Sequence, residues 1–397
     1  MSLPSDFVES LSAVHPVTVI DRIYNRAKAG NTANTLTQWV LTNELRPIDI
    51  FCYFAARFGP PNGSLNALRA DQSDNLFHWE WVCDYQNIQF RILGLTFRTE
   101  IFISGREYDD EDKKSLISQF RESFNTYGQS MGSVRKQLEP WIEFVNPYQR
   151  IRRAIDALLH DLKLLNIDME NDQIPPIYDR RPDDDYRSLW NEQAVLYSRA
   201  IGLAFGIRAM LPVLAEAFVN LLLYMLMKPE LKTDSRLRDN AFRQPIDIRI
   251  RGLSHNCLGF KQPVDFTIEA CKRFHTLMNE RNDLLHGNVV IDKLMFNEVS
   301  FWRTIPIFHK YTTMWERSRG VYSKAAGVDK IDEECGIVDQ FIDYLLSCLE
   351  DSYRPHFERL SSPYDLGIRK DTGLVGVLFP EVLVDFVTIA AKPEATE

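Results

Sequence analysis

The sequence predicts a mainly α protein: an α+β N-terminal domain with a small antiparallel sheet, followed by an all-α helical bundle. Three observations carry this. Aromatic and β-branched runs crowd between residues 79 and 103; from residue 189 apolar residues recur at steps of three and four; and a stretch of proline and aspartate, residues 171–185, separates the two patterns. At 397 residues, with 45% hydrophobic and 12% aromatic side chains, the chain is too long for one ordinary core and can fill two.

The N-terminal domain is expected over residues 1–170. Residues 4–58 read mainly as helices, with apolar positions at Phe7, Val8 and Leu11, then at Leu36, Trp39 and Val40, then from Ile48 to Ala55. Gly59-Pro60-Pro61-Asn62-Gly63 stops that pattern. Residues 79–83, 88–92 and 99–103 read as strands, the first two joined by a turn at Asp84-Tyr85-Gln86-Asn87. The acidic run Asp109-Asp110-Glu111-Asp112 leads into a helix ending near Gly128, and Val134 to about Leu165 reads as helix interrupted at Pro147.

Residues 171–188 read as an acidic, proline-containing linker, a long surface loop being the plainer alternative. The helical domain is expected over 189–358. Ala200 to Met227 is long enough to span a bilayer. Its Arg208, Pro212, Glu216 and Asn220 favour a buried helix or hairpin, because charge in a lipid-facing span is costly. Pro212 is expected to kink that helix or start a new one, and Glu216 and Asn220 share a face at i,i+4. A connection over 228–263, dense in arginine, precedes a helix from about Asp265. A mixed segment from Val289 to Ser318, a helix from about Asp332 to Phe357 and a tail over 359–397 with a strand-like run from Leu374 to Ile389 follow.

The net charge of -9 and pI near 5.5 exclude nucleic-acid binding by global positive charge. Charge is uneven, however. Residues 201–300 carry 13 Lys and Arg against 11 Asp and Glu, the one quarter of the chain that is net positive. Its basic connection, with Arg236, Arg238, Arg243, Arg249, Arg251 and Lys261, is the expected path for an RNA backbone, or else a solvated loop. Phe242 and Phe260 are too few to argue for base stacking there. The six cysteines make no CxxC pair and no zinc-ligand spacing, which predicts reduced thiols and no metal site. With no signal-peptide pattern at the start, the expected location is cytoplasmic, with no membrane partner. Gly-rich phosphate loops and HExxH are missing from the sequence.

One stretch concentrates chemistry: Arg281-Asn282-Asp283-Leu284-Leu285-His286-Gly287. It ends a helix whose apolar stripe runs through Ala270/Cys271, Phe274, Leu277/Met278 and Leu284/Leu285, and Arg281 falls in the gap of that stripe. A guanidinium on an apolar face needs an anion, a partner or an open cleft. Glu216 is the candidate partner if the role is structural. His286 could then serve the helix dipole, with Gly287 as the stop. Spacing alone is weak evidence, since Arg153/His160, Arg249/His255 and Arg303/His309 also place a histidine within seven residues of an arginine. Arg281/His286 alone adds a polar second residue, a helix, an apolar stripe and a closing glycine.

Arg-Asn-x-x-x-His followed by glycine, at the end of a helix in an all-α domain, resembles the defining motif of the HEPN superfamily, the higher eukaryote and prokaryote nucleotide-binding domains. The resemblance covers residues of about 189–358; residues 1–170 match no pattern. It implies a HEPN-like bundle and metal-independent RNA cleavage, without cofactor, by attack of a ribose 2′-hydroxyl on the adjacent phosphate. Arg281 and His286 would be catalytic, Asn282 would orient the phosphate or the imidazole, and Glu216 and Asn220 would support them. Positions five apart on a helix diverge by about 140°, so Arg281 and His286 do not point together, which suits a site shared across a homodimer. The resemblance also implies a toxin or defence role, with an antitoxin or regulatory partner. Non-catalytic HEPN-like nucleotide-binding or interaction modules are the alternative.

Overall fold

The computed structural model describes residues 2–29, 35–63, 78–168, 184–290 and 294–379. The described residues are mainly helical, with a small antiparallel sheet near the N-terminus. They form two compact units, one of residues 1–143 with 367–397 and one of residues 144–366.

In the first unit β1 (Ser12–Ala13), β2 (Leu36–Leu41), β3 (Trp79–Tyr85), β4 (Ile88–Gly94) and β5 (Thr99–Ser104) make one antiparallel sheet in the order β1-β3-β4-β5-β2. The register sets Trp81 beside Ile92 and Ile92 beside Ile101, and puts Cys83, Phe90 and Ile103 on the same face. That face is buried against α2 (Pro47–Phe58), α3 (Asp110–Thr126) and α4 (Gly128–Arg135), which supply Phe54, Phe120 and Met131. The period of two in β3 to β5 therefore has a packing cause. The opposite face carries Glu80 and Glu100, both buried and ion-paired with Arg91 and Arg98 at 2.6 and 2.5 Å. Near them, α1 (Pro16–Ala29) joins the sheet through Val19 on Val82 and Arg22 on Asp84, the ion pair being 2.7 Å. Asp109 caps α3 with a full capping box, the local reason the acidic run starts a helix.

Three expectations fail here, the first at Phe7 to Leu11, where residues 5–10 form turns rather than helix before β1. Leu36 to Leu41 is a strand paired with β5 rather than helix: its apolar residues fit either period, and pairing with an open sheet edge decided between them. Val134 to Leu165 is not one interrupted helix. It contains β6 (Trp141–Phe144) before α5 (Pro147–Leu164), and β6 joins β9 (Leu366–Arg369) and β10 (Val375–Val377) in the order β10-β9-β6.

The second unit is organised around α6 (Asp184–Leu226), 43 residues long. At 1.5 Å per residue it extends about 65 Å. It is long and apolar enough to cross a membrane, yet 56% of its most apolar window is buried inside the protein. Pro212 neither breaks nor divides it. Proline removes the hydrogen bond to the carbonyl four residues back, and packing on several sides outweighs that loss. The helix is buried by α5, by α10 (Glu269–His286) and by α12 (Ile331–Ser347). Leu211, Leu214, Phe218 and Leu222 from α6 share one core with Phe274 of α10 and Phe341 of α12, whose rings stack at 4.1 Å.

The expected connection over 228–263 is largely helical, as α7 (Pro229–Thr233), α8 (Ser235–Arg243) and α9 (Ile246–Asn256). After α10 come the hairpin β7 (Val299–Trp302) and β8 (Ile305–Phe308), a π-helical turn at Glu316–Gly320, and α11 (Val321–Ala326). The last expected helix is two, α12 and α13 (Arg354–Ser361).

The domain boundary moves. α5 buries Ile155, with Ile151, Leu158 and Leu159 packed around it, in the same core as α6, so the units divide at Glu143/Phe144 rather than near residue 170. Most of the expected linker, 171–183, lies outside the described residues, while residues 184–188 open α6, where Asp184 and Asp185 suit the helix N-terminus. Of the expected strand-like tail, Val375–Val377 is a strand, and residues from 380 on lie outside the described residues.

Candidate active site

α10 buries Cys271, Phe274, Leu277 and Met278, so the predicted stripe faces the core through Met278. Beyond it the helix emerges: Leu284 is half-buried and Leu285 is exposed, so the stripe is shorter than the sequence suggests. Arg281 sits at that transition. It is half-buried; Nε is buried and has no hydrogen-bond partner, and Nη1 donates to Oδ1 of Asn282 at 3.0 Å. Asn282 therefore holds the guanidinium from the next position in the chain.

His286 is exposed on the last turn. Gly287 ends the helix at φ 62°, ψ 32°, and the amides of Gly287 and Asn288 both donate to the Asp283 carbonyl. Without a Cβ, glycine takes this left-handed conformation freely, so the residue after His286 fixes where the imidazole leaves the helix. Helical geometry holds from Arg281 to His286, and the two side chains start about 140° apart.

Arg281 lines a narrow cleft with Arg208, Leu277, Glu280, Leu284 and Glu334 that leaves no room for a water molecule. Small-molecule sites occupy about 300–1,000 Å³, so this cleft does not enclose a nucleotide. One wall is an ion cluster that sequence reasoning missed. Nε of Arg208 on α6 donates to both carboxylate oxygens of Glu334 on α12 at 2.9 Å, Nη1 to the Ala326 carbonyl at 3.0 Å, and Nη2 to Glu280 at 3.3 Å. Arg208 was legible as a charge interrupting an apolar run. Its partner was not, lying 126 residues away.

The residues expected to support the motif are engaged elsewhere. Glu216 and Asn220 do share a face of α6, and both accept hydrogen bonds from Arg249 on α9, which also donates to the Gln244 carbonyl at 2.8 Å. Glu216 is thus the partner of Arg249, not of Arg281. Arg249 is buried and comes off the expected RNA path, because its guanidinium is already neutralised inside the bundle. Arg236, Arg243 and Arg251 are exposed on α8 and α9, Arg251 lying over the Phe266 ring at 4.3 Å. Arg238 is half-buried beside Asp239 at 3.6 Å, and exposed Lys261 is 3.9 Å from Asp351.

A second groove of about 360 Å³ lies along α10 and α12, lined by Lys272, Arg273, Glu280, Lys330 and Glu333 among others. Its mixed charge gives it no preference for an anion. Among the described residues no three His, Cys, Asp or Glu side chains converge as metal ligands would. The cysteines are all unpaired; burial pushes the thiols of Cys83, Cys257 and Cys271 up to about 12 and that of Cys335 to about 11.

Comparison with known proteins finds no matching family model, no matching curated protein and no matching solved structure. The functional reading rests on the chemistry of the residues.

Proposed function

We propose that the chain is a metal-independent endoribonuclease of HEPN type, its helical unit a HEPN-like bundle and its site made by Arg281, Asn282 and His286. The observation that carries this is the setting of Arg281. A half-buried guanidinium with an unpartnered Nε, oriented by the neighbouring asparagine, is poised for an anion at the edge of the core. His286, exposed one turn on, supplies the group that moves protons near neutral pH, and Arg281 the charge that stabilises a phosphorane-like transition state. The 2′-hydroxyl loses its proton as it attacks phosphorus, and the 5′-oxygen gains one as it leaves. Because the two side chains diverge and the cleft is small, we assign the complete site to a homodimer, with Arg281 of one protomer working beside His286 of its partner. Exposed Leu285 and Val289 at the end of α10 give that contact apolar surface.

Incubation with labelled RNA in EDTA tests the reading. His286→Ala is expected to slow cleavage by about 10²- to 10⁴-fold. Arg281→Ala is expected to cost about 10²- to 10³-fold. Asn282→Ala should retain more activity than either, because it positions rather than reacts. Cleavage that survives both alanines would remove the assignment, as would a protein that sediments as a monomer at concentrations where it cleaves. A second reading, a non-catalytic nucleotide-binding or regulatory module, draws on the small cleft and on the ion cluster beside Arg281. It is favoured if the wild type cleaves nothing across a broad RNA panel.

A further inference from the structure

The segment following α10 carries surface the core does not use. Among the described residues β7 and β8 pair only with each other, Val299 opposite Phe308 and Trp302 opposite Ile305. Residues opposite one another share a face, so Phe301 lies on one side of the ribbon and Trp302 on the other. Both rings are exposed, Phe301 at 67% and Trp302 at 63%, and Tyr311 just beyond β8 reaches 87%. Large aromatics exposed on both faces of one short hairpin are uncommon unless they meet a ligand or partner.

Charge says which. Residues 298–324 hold five Lys and Arg against two acids, in a chain whose net charge is -9. The cations stand among the rings: the Arg303 guanidinium is 5.5 Å from the Trp302 ring and that of Arg317 is 4.3 Å from Phe308. Arg303 also makes the hairpin turn at φ 59°, a left-handed conformation that side-chain-bearing residues rarely adopt. The foot of the hairpin is anchored, because buried Trp315 meets Tyr197 and Trp190 of α6 edge-on at 4.9 and 5.4 Å.

We infer that the β7–β8 hairpin with Tyr311 is a stacking platform for single-stranded RNA. Exposed rings stack on unpaired bases, and the interleaved cations follow the phosphates. The choice of RNA over DNA rests on the ribonuclease reading. A second copy of the chain is the competing occupant, and a two-fold contact would set these cations against themselves.

The test is fluorescence anisotropy of the full chain with a labelled 2′-O-methyl oligouridine of about 20 nucleotides, longer than one such platform covers and unable to undergo 2′-hydroxyl attack. The double variant Trp302→Ala/Tyr311→Ala is expected to bind at least about tenfold more weakly, each lost stack being worth about five- to 150-fold. Arg303→Gln/Lys310→Gln should flatten the slope of log affinity against log salt by about 1.4. Duplex RNA, whose bases are already stacked, should distinguish wild type from the aromatic variant little. Equal single-strand affinity of wild type and aromatic variant overturns the platform, as does no binding by the wild type. A dimer lost in that variant with RNA binding retained assigns the surface to a second copy instead. Tighter binding of a deoxyoligonucleotide of the same sequence overturns the choice of RNA. Unmodified RNA, scored for cleavage, keeps the two ideas apart: binding lost in the variant while no form cleaves sinks the ribonuclease and leaves the platform.

Discussion

At the scale of single residues, two arginines of similar appearance in sequence play opposite parts. Arg249 is closed off by Glu216, Asn220 and a backbone carbonyl, whereas Arg281 keeps a buried Nε without a partner. Removing one partner of a buried ion pair strands the other, so Arg249→Met should lower unfolding free energy by about 3 kcal/mol in denaturant titration. Arg236→Gln and Arg243→Gln, both exposed, should stay within about 0.5 kcal/mol. A loss no larger for Arg249→Met than for these would contradict the buried cluster. The thiols give a second check. Raised thiol pKa values mean less thiolate at any given pH, so iodoacetamide at about pH 8 should leave Cys83, Cys257, Cys271 and Cys335 unmodified in the native protein and label them after unfolding. Peptide mass mapping reads the result, and rapid native labelling of Cys271 would contradict its burial.

At the scale of elements, two glycines end helices in the left-handed conformation and differ in what surrounds them. A Cβ on Gly287, at φ 62°, meets nothing within 4 Å, so Gly287→Ala should cost only the backbone term, about 1 kcal/mol. A Cβ on Gly327, at φ 70°, would stand 2.6 Å from Nη1 of Arg208 and push it off the Ala326 carbonyl and Glu334. Gly327→Ala should therefore cost about 3 kcal/mol or more. Thermal melts of the pair check the ordering, and equal losses would mean that Arg208 moves aside without penalty. The motif helix itself was legible in sequence, from its apolar steps to its closing glycine. The strand at Leu36–Leu41 was not, because Leu36, Trp39, Val40 and Leu41 satisfy both periods and only the free edge of β5 selects one.

At the scale of the whole molecule, the placement of α5 sets where the chain can be cut. Its buried Ile155 and the apolar residues beside it cover α6, so a fragment of residues 144–366 should fold with a single cooperative transition. A fragment beginning at residue 186, the cut suggested by the proline-rich stretch, should aggregate through the uncovered face of α6. Circular dichroism and sedimentation of both fragments decide this, and a monomeric, cooperatively folding 186–366 would contradict it. The same cut separates latent control by the first unit from inactivity of the second, since RNA cleavage by 144–366 alone requires neither β1 to β5 nor the helices packed on them.

The sequence by itself determined the local terms: the helical stripe of α10, the stop at Gly287, the alternation of β3 to β5 and the helix that follows the acidic run at Asp109. Each depends on residues a few positions apart, which is the range over which periodicity and capping act. Tertiary structure alone decided which charge meets which. Arg208 with Glu334, Arg249 with Glu216 and the exposure of Trp302 depend on helices and strands brought together across long stretches of chain. Spacing along the sequence carries no information about such pairings; burial of the apolar faces does, because it fixes which polar groups are left to satisfy one another and which remain for a ligand.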